Sequence, residues 1–173
     1  MDYIFTLKYR LPDHETDLDA LAQRLGSGGC DDALLGIGQP GRLALEFTRE
    51  AGSASAALLS ALADVKAVVP EAVLVEAAPD FVGLTDVAQV LGLSRQNLHK
   101  LMSKYRHSFP VPVHEGSTTI WHLADVLAWL HAKGTYRLER GLVELAQVTR
   151  QINLARETRQ APPPPADIMA MLS

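Results

Sequence analysis

Cysteine occurs once in the 173 residues, as Cys30. A lone thiol closes no intramolecular disulfide, and within Gly26-Ser27-Gly28-Gly29-Cys30 it reads as a bystander rather than a nucleophile. No apolar run approaches the ~20 residues of a membrane helix, and Met1-Asp2-Tyr3-Ile4 lacks the basic region of a secretory signal. No membrane association is therefore expected, and the location expected is cytoplasmic. The sequence offers no nucleophile–base pair, no histidines at i, i+4 and no cysteine near them. An enzyme, a metal and a cofactor are accordingly not expected. Repeats at solenoid periods are also missing.

Positive charge is in short supply overall, with 16 Lys and Arg against 20 Asp and Glu for a net −4, but it is unevenly placed. Residues 1–80 hold 6 basic and 13 acidic groups, residues 81–134 hold 5 and 3, and residues 135–173 hold 5 and 4. The middle segment also contains His99, His107, His114, His122 and His131, a residue type that gains charge below about pH 6.5. Only this segment suits a polyanionic partner.

Tyr3, Phe5, Leu7, Tyr9 and Leu11 alternate with Ile4, Thr6, Lys8 and Arg10, which predicts a strand with one buried face. Leu18, Leu21, Ala22 and Leu25 predict a short helix capped by Thr16 or Asp17 and stopped at Gly26. Ala33–Ile37 and Arg42–Thr48 flank Gly38-Gln39-Pro40-Gly41, the pattern of a hairpin. Ser53 caps a helix carrying Leu58, Leu62, Val65 and Val69, ended by Pro70, and Val73–Ala77 is a last strand. The order βαββαβ predicts an α+β, ferredoxin-like domain over 1–78. Its role is left open among dimerisation, ligand sensing and docking of a protein partner. RNA binding there is disfavoured, because the second hairpin strand supplies only Phe47 as an aromatic and the domain is acidic.

From Leu84 the pattern turns helical. Thr85 is read as the cap of a helix with Val87, Ala88 and Leu91. Gly92 turns the chain, and Ser94 caps a second helix beginning Arg95-Gln96-Asn97. Leu98, Leu101, Met102 and Tyr105 form its inward face. Arg95, Gln96, His99, Lys100, Ser103 and Lys104 face outward, with Asn97 in the first turn, a set rich in donors for base edges and phosphates. Val111–His114 and Thr118–Trp121 bracket Glu115-Gly116-Ser117 as a small hairpin, and His122–Leu130 returns to helix, with Trp129 closing the core.

The stretch Leu84–Leu98, then Phe109-Pro110, Ile120-Trp121 and Asp125-Val126-Leu127-Ala128-Trp129-Leu130 resembles the MerR/excisionase-type winged helix-turn-helix family, over about a third of the chain. The resemblance implies a winged helix-turn-helix domain over 81–134 whose second helix, 94–106, reads the major groove of double-stranded DNA. Carried onto these positions, Arg95, Gln96, Asn97, His99 and Lys100 are the readers and phosphate contacts. Family wings are often basic, whereas this one carries Glu115, with His114, Ser117 and Thr118 left for phosphate. A sequence-specific regulator, a repressor, is the function implied, in a nucleoid-associated setting. An excisionase-like architectural protein and a protein-interaction adaptor are the alternatives.

Gly36-Ile37-Gly38-Gln39-Pro40-Gly41 matches G-x-G-x-x-G, but a strand is expected after it rather than a helix, so it reads as a turn and not a nucleotide site. A helix of about 20 residues from Tyr136 places Leu138, Leu142, Leu145, Thr149 and Ile152 at coiled-coil spacing. That spacing suits a homodimer seam over 135–159 or packing against the chain's own body. A Pro-rich flexible tail, 160–173, carries Ile168-Met169-Ala170-Met171-Leu172, which reads as a tethered docking peptide or as a disordered end.

Overall fold

The computed structural model describes residues 1–173. The alternation at the N-terminus produces strand β1, Asp2–Arg10, with Tyr3, Phe5, Leu7 and Tyr9 buried. Helix α1, Leu18–Ser27, is capped by Asp17, whose side chain accepts from Ala20 N–H. The helix runs through Gly26 to a cap at Gly28, not the earlier stop expected; both Gly28 N–H and Cys30 N–H close onto its last carbonyls. Strands β2, Ala33–Gly36, and β3, Arg42–Glu50, form the antiparallel hairpin. Between them Gly41 takes a left-handed φ of 72°, and β3 follows at once. The glycine motif is thus a strand connection.

Helix α2, Ala54–Val68, is capped by Ser53 and ends before Pro70; strand β4, Val73–Ala78, completes a four-stranded antiparallel sheet ordered β2-β3-β1-β4. One face of the sheet meets α1 and α2 around Phe5, Phe47, Leu45 and Leu58. Cys30 is buried here, and burial pushes its thiol up to about 11, which keeps it protonated and unreactive at neutral pH.

Arg49 is an interior ion the sequence did not announce. Its guanidinium binds Asp32 through Nε and Nη2, Asp64 and Ser60 through Nη1, and Gly29 O through Nη2. A buried guanidinium needs this degree of pairing. It holds the Asp32 carboxyl below its usual range, while the paired carboxylates hold Arg49 above its own.

The second core is built from strand β5, Phe81–Val82, helices α3, Leu84–Val90, and α4, Arg95–Lys104, strand β6, Trp121–His122, and helix α5, Leu123–Lys133. Its centre is Val82, Val87, Leu98, Trp121, Val126 and Leu130. The long helix α6 spans Arg140–Gln160, starting four residues later than expected, and belongs to both cores. Consecutive residues take opposite sides: Leu145 joins the sheet core and Ala146 the second core.

This corrects the dimer seam. Leu145 is buried in the sheet core with Ile152 packed half-buried against it, and Leu138, ahead of the helix, and Leu142 pack half-buried against the second core, so most of the apolar stripe is turned to the chain's own body. The apolar area already covered this way adds no drive to associate. After the proline run, Ala166–Met171 forms a short helix, α7, with none of its residues buried, so this part of the tail is helical and not featureless.

The molecule is therefore α+β, with seven helices, a four-stranded antiparallel sheet and a two-stranded sheet. No helix is long and apolar enough to cross a membrane.

Candidate nucleic-acid interface

Helix α3 starts at an unexpected residue. Gly83 is the N-cap, its N–H donating to the Asp86 carboxylate at 2.8 Å, and Thr85 is the second residue of the helix. The helix ends as expected: Gly92 has φ 63°, Gly92 N–H reaches Gln89 O and Leu93 N–H reaches Ala88 O at 2.8 Å. This is the Schellman closure, which favours glycine because a Cβ is strained at positive φ. It reverses the chain within four residues and delivers Ser94, whose Oγ accepts from Asn97 N–H at 3.1 Å to start α4.

On α4 the amphipathic division is clean. Leu98 is fully buried, and Leu101 and Met102 pack against the same core. Ser94, Arg95, Gln96, Asn97, His99, Lys100, Ser103 and Lys104 are all exposed. None of Arg95, Lys100, Lys104, Arg106 or Lys133 enters an ion pair. The nearby acids are otherwise engaged: Asp86 caps α3, and Asp125 binds Arg150 of α6 at 2.5 Å. Glu115 is the one carboxylate of residues 81–134 left facing solvent without a partner. Arg150 offsets the charge of Asp125, whereas Asp86, which accepts from a neutral N–H, and Glu115 keep theirs.

The expected hairpin is reduced. His114 and Ile120 form a single bridge, with Val113 N–H to Ile120 O at 2.7 Å and Ile120 N–H to His114 O at 3.0 Å. Trp121 pairs instead with Val82 of β5, ahead of α3. Pro112 removes one donor from the first arm, and Gly116-Ser117-Thr118 makes no ladder, so two continuous strands do not form. His114, Ser117 and Thr118 are exposed on this loop, and no hydrogen bond ties them to α4. Phe109 sits edge-on between Trp121 and Trp129, at 6.0 and 5.1 Å, and Trp121 Nε1 donates to Pro110 O.

His122 does not belong to the surface set. It is buried, with Nδ1 2.7 Å from the Asp80 carboxylate. The other Asp80 oxygen accepts from Asn153 Nδ2 of α6 at 2.8 Å. Asn153 also donates to Ala77 O and accepts from Ala77 N–H, both at 2.8 Å, while Thr149 Oγ1 donates to Pro79 O at 2.6 Å. Residues 77–80, which lead from the sheet into the second half of the chain, are thereby stitched to α6 and to the second core. The signal in the sequence was the interruption of a leucine stripe by Thr149 and Asn153, polar residues that a simple seam would not place inside.

No protein-family model, curated protein or solved structure matches the chain.

Proposed function

We propose that the chain is a sequence-specific DNA-binding regulator, a repressor, whose helix α4 enters the major groove of double-stranded DNA. The observation that carries this is the outward face of α4: basic and amide side chains, free of ion pairs, on a helix anchored from beneath by Leu98. Arg95 and Gln96 in the first turn are suited to paired hydrogen bonds with base edges, and His99, Lys100, Ser103 and Lys104 to phosphates and flanking positions. Two short helices joined through Gly92, followed by a bridged loop, support the assignment to a winged helix-turn-helix of the MerR/excisionase type. The βαββαβ order with strand order β2-β3-β1-β4 supports a ferredoxin-like assignment for the sheet half. A cytoplasmic, nucleoid-associated location follows from the same reading.

A homodimer in this reading draws on another face, because most of the α6 stripe packs against the chain's own cores. The β2 edge is such a face: residues 33–38 carry no charge, and Leu34 is 72% exposed. Selection of bound sequences from random duplex DNA by the purified chain tests the function. Recovery of a common motif is the expected result, and an unenriched pool contradicts it.

The unpartnered Glu115 on the shortened loop favours one other reading, an interaction adaptor whose second core no longer meets DNA. A chain that enriches no DNA yet retains a protein partner through this face would be that adaptor. The architectural reading, in which DNA is bent for recombination, is distinguished by a bending assay against promoter occupancy.

A further inference from the structure

The outward stripe of α4 does not stop at the end of the helix. Gln96, Lys100 and Lys104 follow one another at i, i+4 and i+8, so they share a face. Lys104 Nζ lies 5.2 Å from the centroid of the Tyr105 ring, and Lys133 Nζ, from the last turn of α5, lies 4.1 Å from the same centroid and 5.1 Å from that of Trp129. Two ammonium groups are therefore gathered around one ring, with Arg106 next in the chain. No carboxylate pairs with any of them.

An aromatic face attracts each ammonium group by about 0.5–1 kcal/mol at an exposed site, which leaves its positive charge unneutralised. The rings also restrict both lysine side chains before any ligand arrives, which lowers the ordering cost of binding. An anion with more than one charged oxygen completes such an arrangement. Trp129 is held from behind, edge-on against Tyr105 at 5.6 Å and Phe109 at 5.1 Å, so the shelf stands on packed rings rather than on a loop.

We infer that Lys104 and Lys133, gathered on Tyr105 and Trp129, form a phosphate-binding shelf that holds the DNA backbone beyond the C-terminal end of α4. This rests on the reading of α4 as a DNA-binding helix. The shelf carries no base readout: its groups are point charges without the paired geometry that distinguishes base edges. It fixes the angle at which α4 lies in the groove.

The test uses the full chain and a fluorescein-labelled random-sequence duplex of about 30 base pairs, titrated by anisotropy between about 50 and 200 mM KCl. Lys133→Ala and Lys104→Ala are each expected to weaken binding about three- to tenfold at the low-salt end and to flatten the log-affinity against log-salt slope by about 1. Lys133→Arg should keep the parental slope, and thermal melting of every variant should match the parent. If the parent binds duplex and the double variant keeps the parental slope, the shelf is overturned while the α4 reading stands. A loss in Lys133→Ala that Lys133→Arg does not restore also overturns it, assigning Lys133 to support of the rings. Failure of the parent to bind any duplex overturns both.

Discussion

Asn153 meets Ala77 as a neighbouring strand would, its amide oxygen accepting from the backbone N–H and its amide nitrogen donating to the carbonyl, each at 2.8 Å. One edge of the sheet is thus closed by a side chain from α6, and the same amide reaches on to Asp80 and so to His122. Buried polar groups are costly when left unpaired, so the chain length between the two cores matters less than this shared set of hydrogen bonds.

Asn153→Leu is expected to lower the free energy of unfolding by about 2–4 kcal/mol, because it strands the Ala77 N–H and carbonyl and one Asp80 oxygen in the interior. Urea unfolding measures this. A change below about 0.5 kcal/mol would mean that the network adds nothing that packing does not already supply.

Truncation after Gly134 removes Leu145 from the sheet core and Ala146 from the second core. Such a chain is expected to lose cooperative thermal unfolding as followed by circular dichroism, since both cores open at once. A sharp melt near that of the full chain would show that α6 is an appendage.

Acid should act through Asp32. Its folded-state carboxyl is held below the ordinary value of 3.8 by hydrogen bonding to Arg49. A lowered folded value stabilises the fold above the unfolded value, and that stabilisation is lost as pH falls through the folded one. Asp32→Asn is therefore expected to be less stable than the parent at pH 7 and to lose less on acidification from about pH 5 to 2. Parallel stability curves for the two proteins would rule out this role for Asp32.

Much of the fold is legible from short-range pattern. Alternating Tyr3, Phe5, Leu7 and Tyr9, the caps Asp17, Ser53 and Ser94, and the left-handed Gly92 act through neighbours in sequence, so each appears where its local chemistry places it. Threonine is a frequent cap, which favours Thr85 in the sequence, yet Gly83 with the Asp86 carboxylate fills that position. The α6 stripe illustrates the limit of periodicity. Leu138, Leu142, Leu145 and Ile152 specify an apolar face but not which surface covers it, and two cores of the same chain do so. Arg49 with Asp32 and Asp64, and Asp80 with His122 and Asn153, join residues distant in sequence. Nothing local distinguishes those side chains from solvated ones. The candidate site was legible on α4, where helical spacing separates inward from outward residues; Lys133 was not, because only the packing of α5 brings it to Tyr105.

The affinity and base preference of Arg95→Ala, measured against Lys100→Ala on a sequence selected by the parent, test the central claim most directly. Arg95→Ala is expected to cost about 1–3 kcal/mol on that sequence and to relax the choice of base at one position. Lys100→Ala should weaken binding to every sequence alike and flatten the salt slope by about 1. Leu98→Ala serves as the control for folding, since its loss opens the core beneath α4 and lowers the melting temperature. Folded Arg95→Ala and Lys100→Ala proteins that bind every duplex as the parent does would contradict the account, because α4 would then not be the surface that meets DNA.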